Sequence, residues 1–167
     1  MKIYLSLITL TTVLLFAVNN PSQAHGHKNA TEVGGLIISN IWARVTPKTS
    51  KTGVAFFIIK NKSTFDNVLL GVSSEIAKKT EIHQSSTENN IMKMRHVGNV
   101  DLPAGSVTEL KPGSFHIMFI GLYAPIKEGD LFPLTLTFKT AKDVKIMVKA
   151  SKLPEKSPID HSKMKMD

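Results

Sequence analysis

The sequence predicts an all-β domain, a sandwich or barrel of about nine short strands. From residue 36 onward, short runs of continuous or alternating apolar residues recur at close spacing. Turn dipeptides such as Pro112-Gly113 and Ala104-Gly105 lie between them. No long amphipathic helical pattern occurs, and 42% hydrophobic residues with 20% charged residues allow a packed core.

The predicted strands are defined by apolar continuity or by alternation with polar residues. A polar turn is expected at 61–66, and residues 73–79 have room for one short turn. The strand candidates are Ile37–Val45, Gly53–Lys60, Val68–Val72, Lys79–His83, Ile91–Val97, Val107–Leu110, Phe115–Ile120, Leu131–Phe138 and Val144–Lys149.

Residues 1–24 have the pattern of a signal peptide. Lys2 precedes an almost wholly apolar run, Ile3–Val18, and Ser22-Gln23-Ala24 provides a small-x-small cleavage site. An uncleaved anchor is the alternative, but the run is slightly short for a spanning helix of about 17–25 residues. We therefore expect export, cleavage after about Ala24 and no stable membrane insertion afterwards. The absence of cysteine excludes lipid attachment to a cysteine.

The remaining chain divides into three parts. Residues 25–35 are polar and glycine-rich and predict a flexible lead, residues 36–152 predict the folded domain, and residues 153–167 predict a disordered tail. Without residues 1–24 the formal charge is (21 − 1) − 13 = +7. Export argues against a nucleic-acid partner. The dispersed lysines favour an ordinary solvated surface, with an acidic protein partner as the alternative.

Histidine and methionine are distributed unevenly, whereas cysteine is absent. Without thiolates, blue-copper, iron–sulfur and cysteine-bound zinc sites are excluded. Neither His nor Met occurs between Lys28 and Ile82, although methionines that only fill a core are normally scattered. Beyond that stretch they cluster. The clusters are Met92, Met94 and His96; His116 and Met118; and His161, Met164 and Met166.

Strand geometry groups these side chains further, because residues two apart share a face of a strand. His116 and Met118 project together, opposite Phe115, Ile117 and Phe119. Met92, Met94 and His96 likewise share a face, and His83 ends a third predicted strand. Adjacent strands of this kind would bring imidazoles and thioethers to one point.

The chemistry of such a group favours copper. Thioether sulfur is soft and favours Cu(I), and imidazole binds copper in either oxidation state. Zinc would more usually recruit cysteine or carboxylate beside histidine, and neither occupies these positions. A single His-x-Met pair is more often surface and packing than a site, so the interpretation depends on the combined spacing.

That spacing resembles the signature of the periplasmic copper chaperones of the PCuAC family. His83 is followed after ten residues by Met94, and Met94 after twenty-one residues by His116-x-Met118. Surrounding segments also resemble the family, from about Ile37 to Lys149. They are Trp42-Ala-Arg44, Met92-Lys-Met-Arg95, Leu110-Lys-Pro-Gly113, Gly129-Asp130 and Pro133-Leu-Thr-Leu136.

The resemblance implies a cupredoxin-like Greek-key β-sandwich or barrel of about eight or nine strands. It implies an exposed Cu(I) site formed by His83, Met94, His116 and Met118. It further implies a periplasmic monomer that delivers copper to the binuclear centre of cytochrome c oxidase, in subunit II. Two positions depart from the family pattern. Many relatives have Met where this chain has Gln84, for which Met92 is the candidate substitute, and many have Pro where it has His96, which we expect to be exposed with a minor role.

Both ends carry further candidate ligands. Cleavage after Ala24 would leave His25-Gly26-His27, whose amine, amide nitrogens and imidazole suit Cu(II). His161, Met164 and Met166 resemble the His/Met-rich tails of some family members and could capture Cu(II) or pass copper to the core site. The alternative is a disordered end with incidental methionines.

The function predicted on these grounds is copper binding and delivery, without catalysis. Passive scavenging or storage of copper is the alternative, which the sequence does not separate from delivery. An oxygenase with a histidine brace at His25 is disfavoured, because that histidine needs a rigid support and residues 26–35 have a flexible composition. No nucleophile–base motif or phosphate-binding loop occurs.

Overall fold

A computed structural model describes residues 30–88 and 91–152, and in these residues all regular structure is β-strand. No helix in that part of the chain is long and apolar enough to cross a membrane. The strands are β1 (Thr31–Val33), β2 (Leu36–Arg44), β3 (Thr52–Asn61), β4 (Asn67–Ser73), β5 (Ala77–Glu88), β6 (Ile91–Val97), β7 (Val100–Leu102), β8 (Val107–Leu110), β9 (Phe115–Leu122), β10 (Leu131–Phe138) and β11 (Val144–Ser151).

The strands form one hydrogen-bonded path in the order β6-β5-β9-β3-β2-β11-β10-β4-β7, with β1 beside β2 and β8 beside β3. The pair β2–β11 is parallel, and the other recorded pairs are antiparallel. The all-β prediction is confirmed, but residues 30–88 and 91–152 contain eleven strands rather than eight or nine. The additional ones, β1 and β7, have three residues each, too few to show an alternating pattern.

The lead predicted for residues 25–35 is wrong over its last part. Thr31–Val33 pairs with β2 in the register Thr31↔Ile38 and Val33↔Leu36. Gly34 and Gly35 connect the strands with φ values of 54° and 78°, a conformation that glycine adopts without steric cost. Glycines that indicated flexibility in the sequence therefore form a tight hairpin turn, and residues 25–29 lie outside the described part.

The core lies on one side of the strands that carry the candidate ligands. Ala55, Phe57 and Ile59 alternate along β3 and are buried, as are Ile117 and Phe119 of β9. β4 and β5 stand far apart in the strand order but contact each other, so the sheet folds back on itself around this core. The predicted orientation of Ile117 and Phe119 is confirmed by their complete burial.

The hairpin β5–β6 forms one end of the strand path. β5 begins at Ala77 and continues to Glu88, so the expectation that His83 ends its strand is wrong. The residues of β5 that follow His83 are all polar and show no apolar alternation, so their pattern does not indicate that the strand continues. β6 matches the predicted bounds Ile91–Val97, and six of its seven residues are exposed. Between Ser73 and Ala77 the chain makes a short turn, within the range 73–79 where the sequence has room for one.

Candidate metal centre

Three neighbouring strands bring three histidines to one level of the sheet. His83 of β5 is the register partner of His116 in β9 and also of His96 in β6. The ring centroid of His83 lies 5.9 Å from that of His116 and 5.9 Å from that of His96. We call these three residues the histidine row; it lies on the face opposite Ile117 and Phe119.

The His83 ring is held by a carboxylate. Its Nε2 atom lies 2.9 Å from Oε2 of Glu81, and Oε1 of Glu81 lies 2.5 Å from Nζ of Lys79. Hydrogen bonds from His83 and then from Lys79 lower the pKa of Glu81 to about 2, so this carboxylate is ionised at neutral pH. An ionised carboxylate only accepts, so Nε2 of His83 carries the proton and Nδ1 of the neutral ring keeps its lone pair.

The His116 ring is held in a similar way by the backbone. Its Nδ1 atom lies 3.0 Å from the carbonyl oxygen of Ser114, which can only accept, so Nδ1 donates and Nε2 keeps the lone pair. Only 3% of His116 is exposed. This burial lowers the pKa of His116, which favours the neutral imidazole that a metal requires.

The two remaining ring nitrogens are the unusual feature of this face. Nδ1 of His83 and Nε2 of His116 are buried and have no hydrogen-bond partner among the described residues. Buried polar atoms in proteins are nearly always paired, so each such atom calls for an explanation. In metal sites, one nitrogen of a ligating histidine is bonded to a protein acceptor while the other faces the metal. In His83 and in His116, one ring nitrogen is bonded to a protein acceptor, and the other has no partner among the described residues.

Two thioethers flank the histidine row. Met118 is the register partner of Glu81, two residues before His83, whereas Met94 is the partner of Ser85, two residues after it. Met118 is partly buried and Met94 is 52% exposed. The structure therefore brings the four predicted ligands to one face of three adjacent strands. The residues described include no group of three or more His, Cys, Asp or Glu side chains already positioned for a metal.

Aromatic rings cover the side of His116 that faces away from His83. The ring of Phe56 lies 6.4 Å from that of His116, and the ring of Trp42 lies 4.8 Å from Phe56. All three side chains are buried, although they lie outside the main core. The imidazole that was expected in an exposed site is thus buried, and access to this face is from the β5–β6 side.

The other predicted ligands have different positions. Met92 is 68% exposed and pairs with Thr87, two steps along β6 from the histidine row, so it does not adjoin that row. The candidates His25, His27, His161, Met164 and Met166 lie outside the described residues, as do the signal peptide at 1–24 and the tail at 153–167.

Glu81 was not among the predicted residues. It precedes His83 by two positions in the same strand, so alternation alone places both side chains on one face. That signal was present in the sequence. Glu81 is not itself a candidate ligand, because it contacts Nε2 of His83 and not Nδ1, which has the free lone pair.

Comparison with known proteins identifies the family. The family model described as "Putative lipoprotein LpqE-like" matches residues 36–150. A putative lipoprotein of Leifsonia xyli subsp. xyli is 30% identical over 123 residues, 73% of this chain and 72% of that protein. The chain belongs to the LpqE-like family. An uncharacterized Rickettsia prowazekii protein is 34% identical over 116 residues, 64% of this chain and 62% of its relative.

The LpqE-like family is of the PCuAC type, so the predicted relationship is confirmed. The copper-bound PCuAC domain of PmoF2 shares the fold with a TM-score of 0.64 and 19% identity, over 75% of this chain and 99% of that domain. The Cu(I) form of DR1885 from Deinococcus radiodurans gives 0.56 and 22%, over 75% and 82%. These likenesses confirm the cupredoxin-like fold. The 167 residues contain no cysteine thiol to accept a lipid, despite the family's description.

Proposed function

We propose that this LpqE-like protein is a periplasmic copper chaperone that binds one Cu(I) ion through His83, Met94, His116 and Met118. The observation that carries the proposal is the pair of buried, unpartnered nitrogens on adjacent histidines, with a methionine on either side. Two neutral imidazoles and two thioethers form an uncharged, soft set, which suits Cu(I) better than harder cations.

The structural relatives support copper as the cargo. Two of them are described as a copper-bound PCuAC domain and as the Cu(I) form of DR1885. The features of this chain agree with that cargo independently, since Glu81 and the Ser114 carbonyl orient the two imidazoles as supporting groups do in metal sites.

Delivery requires a site that releases its ion. Met94 is 52% exposed and belongs to β6, which within the described part of the chain has a strand neighbour on one side only, so an acceptor can approach this ligand directly. We propose the binuclear copper centre of cytochrome c oxidase subunit II as the acceptor. The formal charge, +8 for the full chain and +7 without residues 1–24, would favour encounter with an acidic acceptor surface.

A Cu(I) titration against a chromogenic chelator tests the site. The full-length protein is compared with a His116→Ala/Met118→Ala double variant. Ile120→Ala is the matched control, because it alters the same face of β9 one step beyond Met118. We expect the parent and the control to retain one tight Cu(I) that the double variant has lost. Equal binding by the double variant would place any copper function outside the four residues.

Copper storage without a dedicated acceptor is the second candidate. The additional donors His25, His27, His161, Met164 and Met166 favour it, since a buffer gains from many ligands. Transfer from the loaded protein to a purified oxidase subunit II copper domain separates the two functions. Complete transfer of one ion supports delivery. Several retained ions per chain with no transfer would support storage and rule out delivery to this acceptor.

A further inference from the structure

We infer that His96 is a further copper ligand, and that His83, His96 and His116 together allow the site to take Cu(II) as well as Cu(I). The inference rests on the proposed function, because it concerns the same copper site. It involves no electron transfer: the protein would bind Cu(II) supplied as that ion. The proposed Cu(I) ligands remain the two histidines His83 and His116 with the two methionines Met94 and Met118.

The position of His96 carries the inference. It is the register partner of His83 in β6, as His116 is in β9, so the middle ring has an imidazole on each side. The His83 and His96 rings are 5.9 Å apart at their centroids and meet edge to face at 68°. His96 also shares the face of β6 that carries Met94, two residues before it.

The surroundings of His96 allow it to move. The side chain is exposed, and among the described residues its strand is paired on one side only. As placed, the histidine row is not a preformed site of three ligands. Rotation of an exposed side chain is fast and inexpensive, whereas His83 and His116 are held by Glu81 and the Ser114 carbonyl.

The chemistry of copper explains why a third imidazole matters. Cu(II) prefers nitrogen and oxygen donors in a tetragonal arrangement, whereas thioethers favour Cu(I). With two imidazoles and two thioethers, the site is poorly suited to Cu(II). Met94 and His96 lie on the same face of one exposed strand, so His96 offers a nitrogen donor where Met94 offers sulfur. We therefore expect three imidazole ligands for Cu(II) and the two-methionine set for Cu(I).

The experiment must first remove the other histidines that could bind Cu(II). The background is the full-length protein with His25, His27 and His161 each replaced by alanine. Into it are introduced His96→Ala and, in case that variant fails to fold, His96→Gln. Lys93→Ala is the matched control, since Lys93 lies on the opposite face of β6, where its Nζ contacts Glu88 at 2.6 Å. Cu(II) and Cu(I) affinities are measured by chelator competition, and coordinated nitrogens are counted by electron paramagnetic resonance.

We expect His96→Ala to weaken Cu(II) binding by at least about tenfold. Removing a group that only supports a metal ligand weakens metal binding by about 10–100-fold, and removing a ligand should weaken it no less. The count of coordinated nitrogens should fall by one, and Cu(I) affinity should be unchanged. The Lys93→Ala control should match the background in every measurement. An unchanged Cu(II) affinity and nitrogen count in His96→Ala would overturn the inference while leaving the Cu(I) function intact. A background that binds no Cu(I) would overturn the proposed function, and the Cu(II) measurements would still decide the role of His96.

Discussion

At the residue scale, Glu81 determines which nitrogen of His83 is available to a ligand. Its ionised carboxylate accepts a hydrogen bond from Nε2–H, with Nε2 and Oε2 2.9 Å apart, and so leaves the lone pair on the buried Nδ1. Without this acceptor the ring could adopt the other tautomer or turn away. In the proposed copper site the carboxylate would therefore act through His83 rather than by direct contact with the metal.

Replacing Glu81 with glutamine should consequently weaken Cu(I) binding. We expect a loss of about 10–100-fold, the range typical when a group supporting a metal ligand is removed. The neutral amide is a weaker acceptor and no longer favours one tautomer. Glu75→Gln, an exposed carboxylate in the turn before β5, is the control. Chelator competition measures both variants, and equal affinity in the two would show that Glu81 has no supporting role.

His116 makes stability dependent on pH. Burial lowers its pKa below the ordinary 6.5, so between these two values the unfolded chain binds a proton that the folded chain excludes. The stability of the metal-free protein should therefore decrease as pH falls below about 6.5, the unperturbed value. The measurement is urea unfolding across pH for the parent and for His116→Gln. The difference in the free energy of unfolding between the parent and His116→Gln should become smaller toward acid pH. A difference that stays constant with pH would contradict the lowered pKa of His116.

At the scale of elements, the register of the hairpin β5–β6 shows which methionine adjoins the histidine row. Met94 and Met92 lie on the same face of β6, but Met94 pairs with Ser85, one step from the histidine row, and Met92 pairs with Thr87, two steps away. The family resemblance made Met92 the candidate substitute for the methionine that many relatives have at position 84, where this chain has Gln84. The register shows that it sits farther toward the end of the hairpin.

Met94→Ala and Met92→Ala form a matched pair of variants. We expect Met94→Ala to lower Cu(I) affinity by at least about tenfold and Met92→Ala to leave it unchanged, because only the former adjoins His83. Both residues are largely exposed, so each change should alter the free energy of unfolding by no more than about 0.5 kcal/mol. Chelator competition and urea unfolding provide the two readouts. Equal losses of affinity would mean that the hairpin end also contributes to the site.

Alternation within a strand was predictable from the sequence, whereas partnership between strands was not. Ile117 and Phe119 were correctly placed in the core and His116 on the other face, because a period of two fixes the side. The extension of β5 to Glu88 was missed, since the run after His83 is polar on both faces. The pairing of His83 with both His96 and His116 depends on strand order and register, which no local pattern encodes.

At the scale of the whole molecule, positive charge outweighs negative charge by 21 to 13. Copper transfer to an acidic acceptor domain should therefore slow as salt rises from low ionic strength to about 0.15 M, where the screening length is about 8 Å. Stopped-flow measurement of transfer gives the rate. Transfer to a small uncharged chelator is the control and should vary little. The same salt response for both would indicate that surface charge does not steer the encounter.

The strand order also has a consequence for when the site can exist. β9 lies between β5 and β3, although it follows both in the sequence, and it carries His116 and Met118, two of the four proposed Cu(I) ligands. Such pairing between distant segments forms slowly, because loop closure precedes the contacts that reward it. Of the four proposed Cu(I) ligands, a chain that ends before β9 would thus have only His83 and Met94, with His96 as the neighbouring ring. Tight copper binding would then occur only once the sheet is complete. The metal would therefore stabilise the folded chain and would not direct the early steps of folding.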